Sequence, residues 1–316
     1  MKIFDNEILI DVQALNIDSA SFTQIKEEVG ADKEKIAKRI QEIVAEKGKM
    51  QNPVTGSGGM LIGTVEKIGD AIKDTSDLKV GDKIATLVSL SLTPLRIDEI
   101  LDIKMEIDRV QIKGKAILFE SGIYAKLPSD MSETLALAAL DVAGAPAQTA
   151  KLVRPGDSVL ILGAAGKSGM LCCYEAKKRV GPTGRVVGLV RNEASRQKLI
   201  EMGVVDEAIV ANAQLPGEVM EKSMAANHGN EYDISINCVN VENTEMSSIM
   251  PVRNNGIVYF FSMATSFTKA ALGAEGVGKD IDMMVGNGYT KGHAEITLQI
   301  LRESEIVRTT FEKMYL

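Results

Sequence analysis

The sequence predicts an α/β protein, a doubly wound parallel sheet preceded by a smaller β-rich domain. Three observations carry this. From residue 158 onward, short Val/Ile/Leu runs alternate with helix-length amphipathic segments, the order required by a parallel sheet covered on both faces. The first of these runs, Val159-Leu160-Ile161-Leu162, breaks into Gly163, Gly166 and Gly169 just ahead of a helical segment. The N-terminal 135 residues instead read as short strands separated by turns, with one amphipathic helix among them.

Taken in order, residues 7–12 predict a strand and residues 61–68 another, stopped by Gly69-Asp70. Val80-Gly81-Asp82-Lys83 is a turn into a strand over 84–88, and 115–119 and 123–126 are further short strands. Residues 32–48 place Ile36, Ile40, Ile43 and Val44 on one face, a helical insertion into the β region. Residues 131–139 begin the passage into the second domain. There, strands are expected at 158–162, 185–190, 207–210, 233–239, 256–262 and 280–285. Helices are expected at 168–180, 193–202, 217–226, 243–250 and 293–303, with glycines at 181, 203 and 229 as stops. The expected division is 1–135 for the first domain, with 290–316 packing back on it, and 136–289 for the second.

Composition excludes several classes. The chain has 316 residues, 45% hydrophobic and 25% charged, as in ordinary globular enzymes. The net charge of −7 argues against nucleic-acid and anionic-membrane partners. No apolar stretch approaches the ~20 residues of a membrane span, and the first residues carry no signal-peptide hydrophobic region. With only three cysteines, at 172, 173 and 238, the expected location is the reducing cytoplasm, the thiols serving as small core residues.

The glycine turn has a physical reading. Gly163 makes the tight turn, Gly166 lets a pyrophosphate approach, and Gly169 lets the following helix pack on the sheet. Helix-start amides then face the phosphate charge. This predicts a Rossmann-type domain in which Gly163, Ala164, Gly166, Lys167, Ser168 and Gly169 meet the diphosphate of a dinucleotide. The second strand ends at Arg191-Asn192, where an NAD site usually places an acidic residue for the ribose hydroxyls. Arginine there suits a 2′-phosphate or stacks on adenine, so the cofactor is NAD or NADP with a lean to NADP. Cys238, Val239 and Asn240, and Ser262 and Met263, end the fourth and fifth strands, where the nicotinamide ribose is expected.

The segments 7–12, 63–69, 80–83 and 163–169 together resemble the medium-chain dehydrogenase/reductase superfamily, which implies a GroES-like β-rich domain before the Rossmann domain. A narrower resemblance rests on Thr55-Gly-Ser-Gly-Gly-Met-Leu-Ile-Gly-Thr64, Ser89-Leu-Ser-Leu-Thr-Pro-Leu-Arg-Ile97, Asp141-Val-Ala-Gly-Ala-Pro-Ala147 and Gly286-Asn-Gly-Tyr-Thr-Lys-Gly-His293. These are similar to the L-erythro-3,5-diaminohexanoate dehydrogenase family of lysine fermentation. The resemblance implies NAD(P)-dependent oxidative deamination of a small amino-acid substrate at its 3-amino group. It also implies a segment before the position of Met1, so the first domain is expected to lack an N-terminal portion. The superfamily commonly pairs its last strands edge to edge, which makes a homodimer the expected assembly.

Many superfamily members use a catalytic zinc. Here Asn16-Ile17-Asp18-Ser19 and Gly56-Ser57-Gly58-Gly59 stand where its ligands are usual, so no zinc is expected. Side chains must then supply the base and the groups that hold a cationic substrate. Asp18, Glu120 and Asp141 are the carboxylate candidates, with Ser57 and Ser89 holding amine or water. Arg96, in an expected loop, suits the substrate carboxylate, and Lys279, Lys291 and His293 lie in or near the glycine-rich segment after the fifth strand. Each has a plainer reading: Asp141 as a helix cap, Glu120 as a strand-end charge, Arg96 as a surface residue, His293 as a helix-start residue. A zinc-free quinone or enoyl reductase, or a non-catalytic dinucleotide-binding protein, fits the same residues; turnover of the diamino acid separates the three.

Overall fold

The computed structural model describes residues 1–262, 264–286 and 289–315, which divide into two units, Met1–Glu133 and Thr134–Leu316. The first unit runs β1 (Glu7–Asn16), α1 (Ser19–Val29), α2 (Lys33–Lys47), β2 (Met60–Ile68), β3 (Lys83–Thr86), β4 (Leu95–Lys104), β5 (Arg109–Phe119) and β6 (Tyr124–Lys126). Its strands form one antiparallel sheet in the order β4-β5-β1-β2-β3-β6. Ile8, Ile10 and Val12 of β1 alternate into the core. A register shift between Val12 and Ala14 then lets Leu15 return to the core, so the strand continues to Asn16, four residues past its expected end.

The insertion at 32–48 is a helix with both ends capped. Asp32 Oδ1 accepts from the Lys35 amide at 3.0 Å, and Gly48, left-handed at φ 68°, donates its N–H to Val44 O at 2.8 Å. Ile36, Ile40, Ile43 and Val44 are buried as expected, each worth about 1.5–3 kcal/mol relative to exposure. In the first unit, α1, which buries Phe22 and Ile25, and β4, where a loop is expected, depart from the sequence reading.

The second unit runs α3 (Glu133–Leu140), α4 (Gly144–Leu152), β7 (Ser158–Leu162), α5 (Lys167–Val180), β8 (Arg185–Val190), α6 (Glu193–Met202), β9 (Glu207–Val210), α7 (Pro216–Ala226), β10 (Tyr232–Asn237), α8 (Glu245–Ile249), β11 (Val252–Phe260), α9 (Phe267–Gly276), β12 (Ile281–Val285), α10 (His293–Glu303) and α11 (Glu305–Tyr315). The strands are all parallel, in the order β12-β11-β10-β7-β8-β9. The chain leaves β7 toward β8 and β9, then returns to lay β10 on its other side. The gap between β7 and β10 is thus the topological switch point, at whose carboxyl edge such sheets bind ligands.

The opposite, amino edge of this sheet is tied by charged side chains. Asp233 Oδ2 accepts from the Ser158 amide (2.7 Å) and hydroxyl (2.8 Å), while its Oδ1 accepts from Arg253 Nε at 2.8 Å. Burial pushes the Asp233 carboxyl up, but these hydrogen bonds from Ser158 and Arg253 outweigh it and hold it below its ordinary value. Asp206 accepts from the Val186 amide at 2.8 Å and from Lys177 at 2.6 Å, and Lys279 joins Glu231 and Val252 O. Residues 290–316, expected to return to the first domain, belong to the second unit. α10 and α11 pack on α4 and α5 of the second unit, where Thr297 Oγ1 donates to Ala143 O at 3.2 Å. The strongly amphipathic α10 buries Ala294, Leu298 and Leu301 there.

Candidate functional site

In the second unit, β7 delivers the chain into the glycine turn at the switch point. The amides of Gly163 and Ala164 both donate to Leu189 O at 3.0 Å, which folds the turn back on β8. Gly163 has φ 76°, and a Cβ there would lie 3.1 Å from Cys238 C and O and from Val239 N. A Cβ on Gly169 would lie 2.2 Å from Gly163 O, so α5 sits flush against the turn. Gly166 differs: its nearest neighbour to such a Cβ is Gly163 O at 3.3 Å, leaving the approach side open. No side chain caps α5, whose N-terminus begins there. An open, uncapped helix start on a glycine turn fits a diphosphate.

Other predicted contacts take up distinct positions. Lys167 Nζ donates to Asp141 Oδ2 at 2.8 Å, bringing together a predicted phosphate ligand and a predicted catalytic carboxylate. Ser168 is buried in the first turn of α5. Arg191 is exposed just past β8 and has no side-chain partner among the described residues, while Asn192 Oδ1 caps α6 by accepting from the Ser195 amide at 2.8 Å. Past β10, the Cys238 amide donates to Leu162 O at 3.0 Å, the Val239 amide donates to Asn237 Oδ1 at 2.9 Å, and Asn240 is exposed. Ser262 donates its amide to Asn237 O at 3.2 Å, whereas Met263 lies outside the described residues. The Cys172 and Cys238 sulfurs are 4.0 Å apart, and all three cysteines are free thiols. Burial pushes the Cys172 and Cys173 thiols up.

Two further candidates are paired or packed within the second unit. Lys279 is committed to Glu231 and Val252 O at the amino edge of the sheet, away from the glycine turn. His293 is buried at the start of α10, with the Tyr289 ring edge-on at 5.2 Å, so it is a packed helix-start residue. Burial pushes its imidazole below the ordinary value. Lys291, two residues earlier, is exposed.

In the first unit, three loops meet beyond the C-terminal end of β1. Asp18 Oδ1 caps α1, accepting from the Ser21 amide at 2.9 Å, while its Oδ2 is buried without a hydrogen-bond partner among the described residues. Ser21 Oγ and Thr55 Oγ1 share a hydrogen bond of 2.6 Å, and Thr55 Oγ1 accepts from the Ser57 amide at 3.3 Å. Gly59, at φ 88°, lies so close that a Cβ would sit 2.1 Å from Asn16 O and 2.7 Å from Asp18 N. The Leu90 amide donates to Gly59 O at 2.8 Å, and Ser89 Oγ accepts from the Ser91 amide at 3.2 Å. Asp18, Ser57 and Ser89 therefore belong to one linked loop cluster.

Glu120 and Arg96 do not join it. Glu120 is exposed in the turn after β5, and Phe119 pairs with Glu7 at the far end of β1. Ten strand residues separate the two ends, roughly 30 Å at the rise of a β-strand. Arg96 lies in the edge strand β4, not in a loop, and its guanidinium grips its own neighbour Asp98 at 2.8 and 3.2 Å. That bidentate pair lowers the Asp98 carboxyl and raises the Arg96 guanidinium. Among the described residues, no group of three His, Cys, Asp or Glu side chains is placed to hold a metal ion.

Comparison with known proteins adds the chemistry. Residues 1–128 match the model of the L-erythro-3,5-diaminohexanoate dehydrogenase N-terminal domain. The chain is 84% identical, over its full length and 92% of the relative's, to an L-erythro-3,5-diaminohexanoate dehydrogenase of Acetoanaerobium sticklandii. It is 70% identical, with the same coverage, to one of Fusobacterium nucleatum subsp. nucleatum. Among solved structures, the CurK enoyl reductase covers all of this chain and 82% of its own, with a TM-score of 0.59 at 15% identity, a likeness of fold.

Proposed function

The chain belongs to the L-erythro-3,5-diaminohexanoate dehydrogenase family, and on that premise we propose that it oxidatively deaminates (3S,5S)-3,5-diaminohexanoate, giving 5-amino-3-oxohexanoate and ammonia. The observation that carries this reading is a turn shaped for a diphosphate in an oxidoreductase chain 84% identical to a named dehydrogenase. When bound, the nicotinamide dinucleotide supplies the acceptor for the hydride that leaves carbon 3. The substrate ammonium must first lose a proton so that its lone pair can assist that departure. One water then adds to the carbon and one ammonia leaves.

Asp18 is the carboxylate best placed for the cationic amine. Its Oδ2 has no hydrogen-bond partner among the described residues, whereas Asp141 is engaged by Lys167 and Glu120 lies at the other end of β1. Ser57 and Ser89, in the same loop cluster, are the hydroxyls that hold the amine and the water. Arg96, the first candidate for the substrate carboxylate, is paired with Asp98 instead. Dinucleotide reduction by the native protein with the diamino acid, lost in Asp18→Asn, is the expected outcome; no turnover by the native protein overturns the reading.

Arg191 supports NADP, since its exposed guanidinium suits a 2′-phosphate. Arg191→Asp is expected to lower the NADP-over-NAD preference by about tenfold or more, the scale of a lost charge-assisted hydrogen bond. An unchanged ratio removes that role. The outer edge of β12, with Met283 and Val285 exposed, is the surface proposed to pair with a second copy. Sedimentation should then give twice 34.0 kDa; a monomer refutes it. The free thiols fit a cytoplasmic location, and among the described residues no helix is long and apolar enough to cross a membrane.

A further inference from the structure

We propose that Asn237 is a positioning residue for the dinucleotide, holding residues 238–240 after β10 and 261–262 after β11 in one fixed arrangement at the switch point. This rests on the reading that residues 238–240 and 262 face the nicotinamide half of the cofactor. Asn237 is the last residue of β10, fully buried, in register with Leu162 on one side and Phe260 on the other. A buried amide beside Ile236 is costly unless its hydrogen bonds are made.

They are made, and their directions are determined. Thr244 Oγ1 donates to Val241 O at 3.4 Å and Ser248 Oγ donates to Thr244 O at 3.1 Å. Both hydroxyls therefore present lone pairs to Asn237, whose Nδ2 donates to each at 2.9 Å. This leaves Oδ1 to accept from the Val239 amide at 2.9 Å. The main-chain oxygen of Asn237 accepts from the amides of Phe261 and Ser262 at 3.1 and 3.2 Å. One residue thus anchors both loops. The same helix, α8, extends the anchorage, because Glu245 Oε1 accepts from the Ser266 amide at 2.7 Å.

The link to the cofactor is the close approach at Gly163. A Cβ there would lie 3.1 Å from Val239 N and from the Cys238 carbonyl, so the 238–240 loop has no slack against the dinucleotide turn. A loop released from Asn237 shifts against that turn, and the binding of the dinucleotide reports the shift.

The test is Asn237→Asp in the full chain. A carboxylate keeps the shape and the bond from Val239 but cannot donate to the two hydroxyls, and its charge is buried. Once protonated, it is neutral and its single O–H donates one of the two bonds again. The dissociation constant of the reduced dinucleotide, read by its own fluorescence, is expected to rise about tenfold at alkaline pH, the fold-change of roughly one lost hydrogen bond. It is expected to return toward the native value on acidification, a pH dependence absent from the native chain. Native-like binding at every pH, or a loss that pH does not change, overturns the proposal. If the native protein itself fails to bind NADH or NADPH, it is the functional reading that falls. Should Asn237→Asp not fold, Thr244→Val removes one acceptor without adding charge; a raised dissociation constant supports the role and an unchanged one refutes it.

Discussion

At the scale of single residues, the three glycines of the turn do different work. Gly163 needs its positive φ and Gly169 its missing Cβ because the protein itself occupies the space, whereas a Cβ on Gly166 would meet only Gly163 O, at 3.3 Å. Gly163→Ala and Gly169→Ala are therefore expected to destabilise the fold by about 1–3 kcal/mol. Gly166→Ala is expected to cost under about 1 kcal/mol while weakening dinucleotide binding. Urea denaturation and fluorescence titration separate the two effects, and equal loss of stability in all three variants would contradict this division. The turn was legible because a glycine pattern after an apolar strand has few other uses. Individual polar residues were not. Arg96 and Asp141 read as substrate-facing candidates in the sequence, yet Asp98, two residues away, and Lys167, placed by the tertiary fold, pair with them. Asn237 had a legible signal: a carboxamide inside the strand expected at 233–239 must be bonded to something if it is buried.

At the scale of elements, local chemistry decides what can be read. The strands at 158–162, 185–190 and 207–210 have the expected bounds, since buried parallel strands are continuous apolar runs between glycines and polar turns. The helix at 32–48 announces itself through its caps and apolar face. Asp32→Ala is expected to remove about 1 kcal/mol of stability by leaving the first-turn amides uncapped, with Asp32→Ser largely retaining it. Thermal or urea unfolding checks this, and no difference between the two variants would mean the cap is idle. β4 was missed because Arg96, Asp98, Glu99 and Asp102 crowd an exposed edge strand with residues that strands usually avoid. Its stability comes from cross-strand partners such as Lys113, which donates to Glu99 at 2.7 Å. The helix α9 is hidden for a different reason: Phe267 and Leu272 are exposed and its buried face is only Ala270 and Ala274, so no stripe of large apolar residues marks it.

At the scale of the whole molecule, charge couples stability to pH in one direction. Asp82, Asp98, Asp102, Glu218 and Glu303 are held below their ordinary values chiefly by hydrogen bonds from lysine, arginine and backbone donors, and Asp233 by bonds that overcome its burial. Their contribution is present above the unfolded carboxyl values near pH 4 and is lost as pH falls through the lower folded values. Asp157, pushed up by burial, works weakly against them. His293 acts earlier on the pH scale. Its buried imidazole resists protonation, so the unfolded chain takes up a proton first as pH falls below about 6.5. Stability is therefore expected to decline in two stages on acidification, and His293→Gln should abolish only the first. A single transition, the same in both proteins, would remove His293 from this account.

The parallel sheet has one further property at this scale. The charged ties of Asp233, Asp206 and Lys279 secure its amino edge, while the glycine turn and the loops held by Asn237 crown its carboxyl edge. Inheritance can therefore act on the two edges separately. A lineage can exchange one cofactor or substrate for another by altering the crown, while the foundation that keeps the sheet together is passed on untouched.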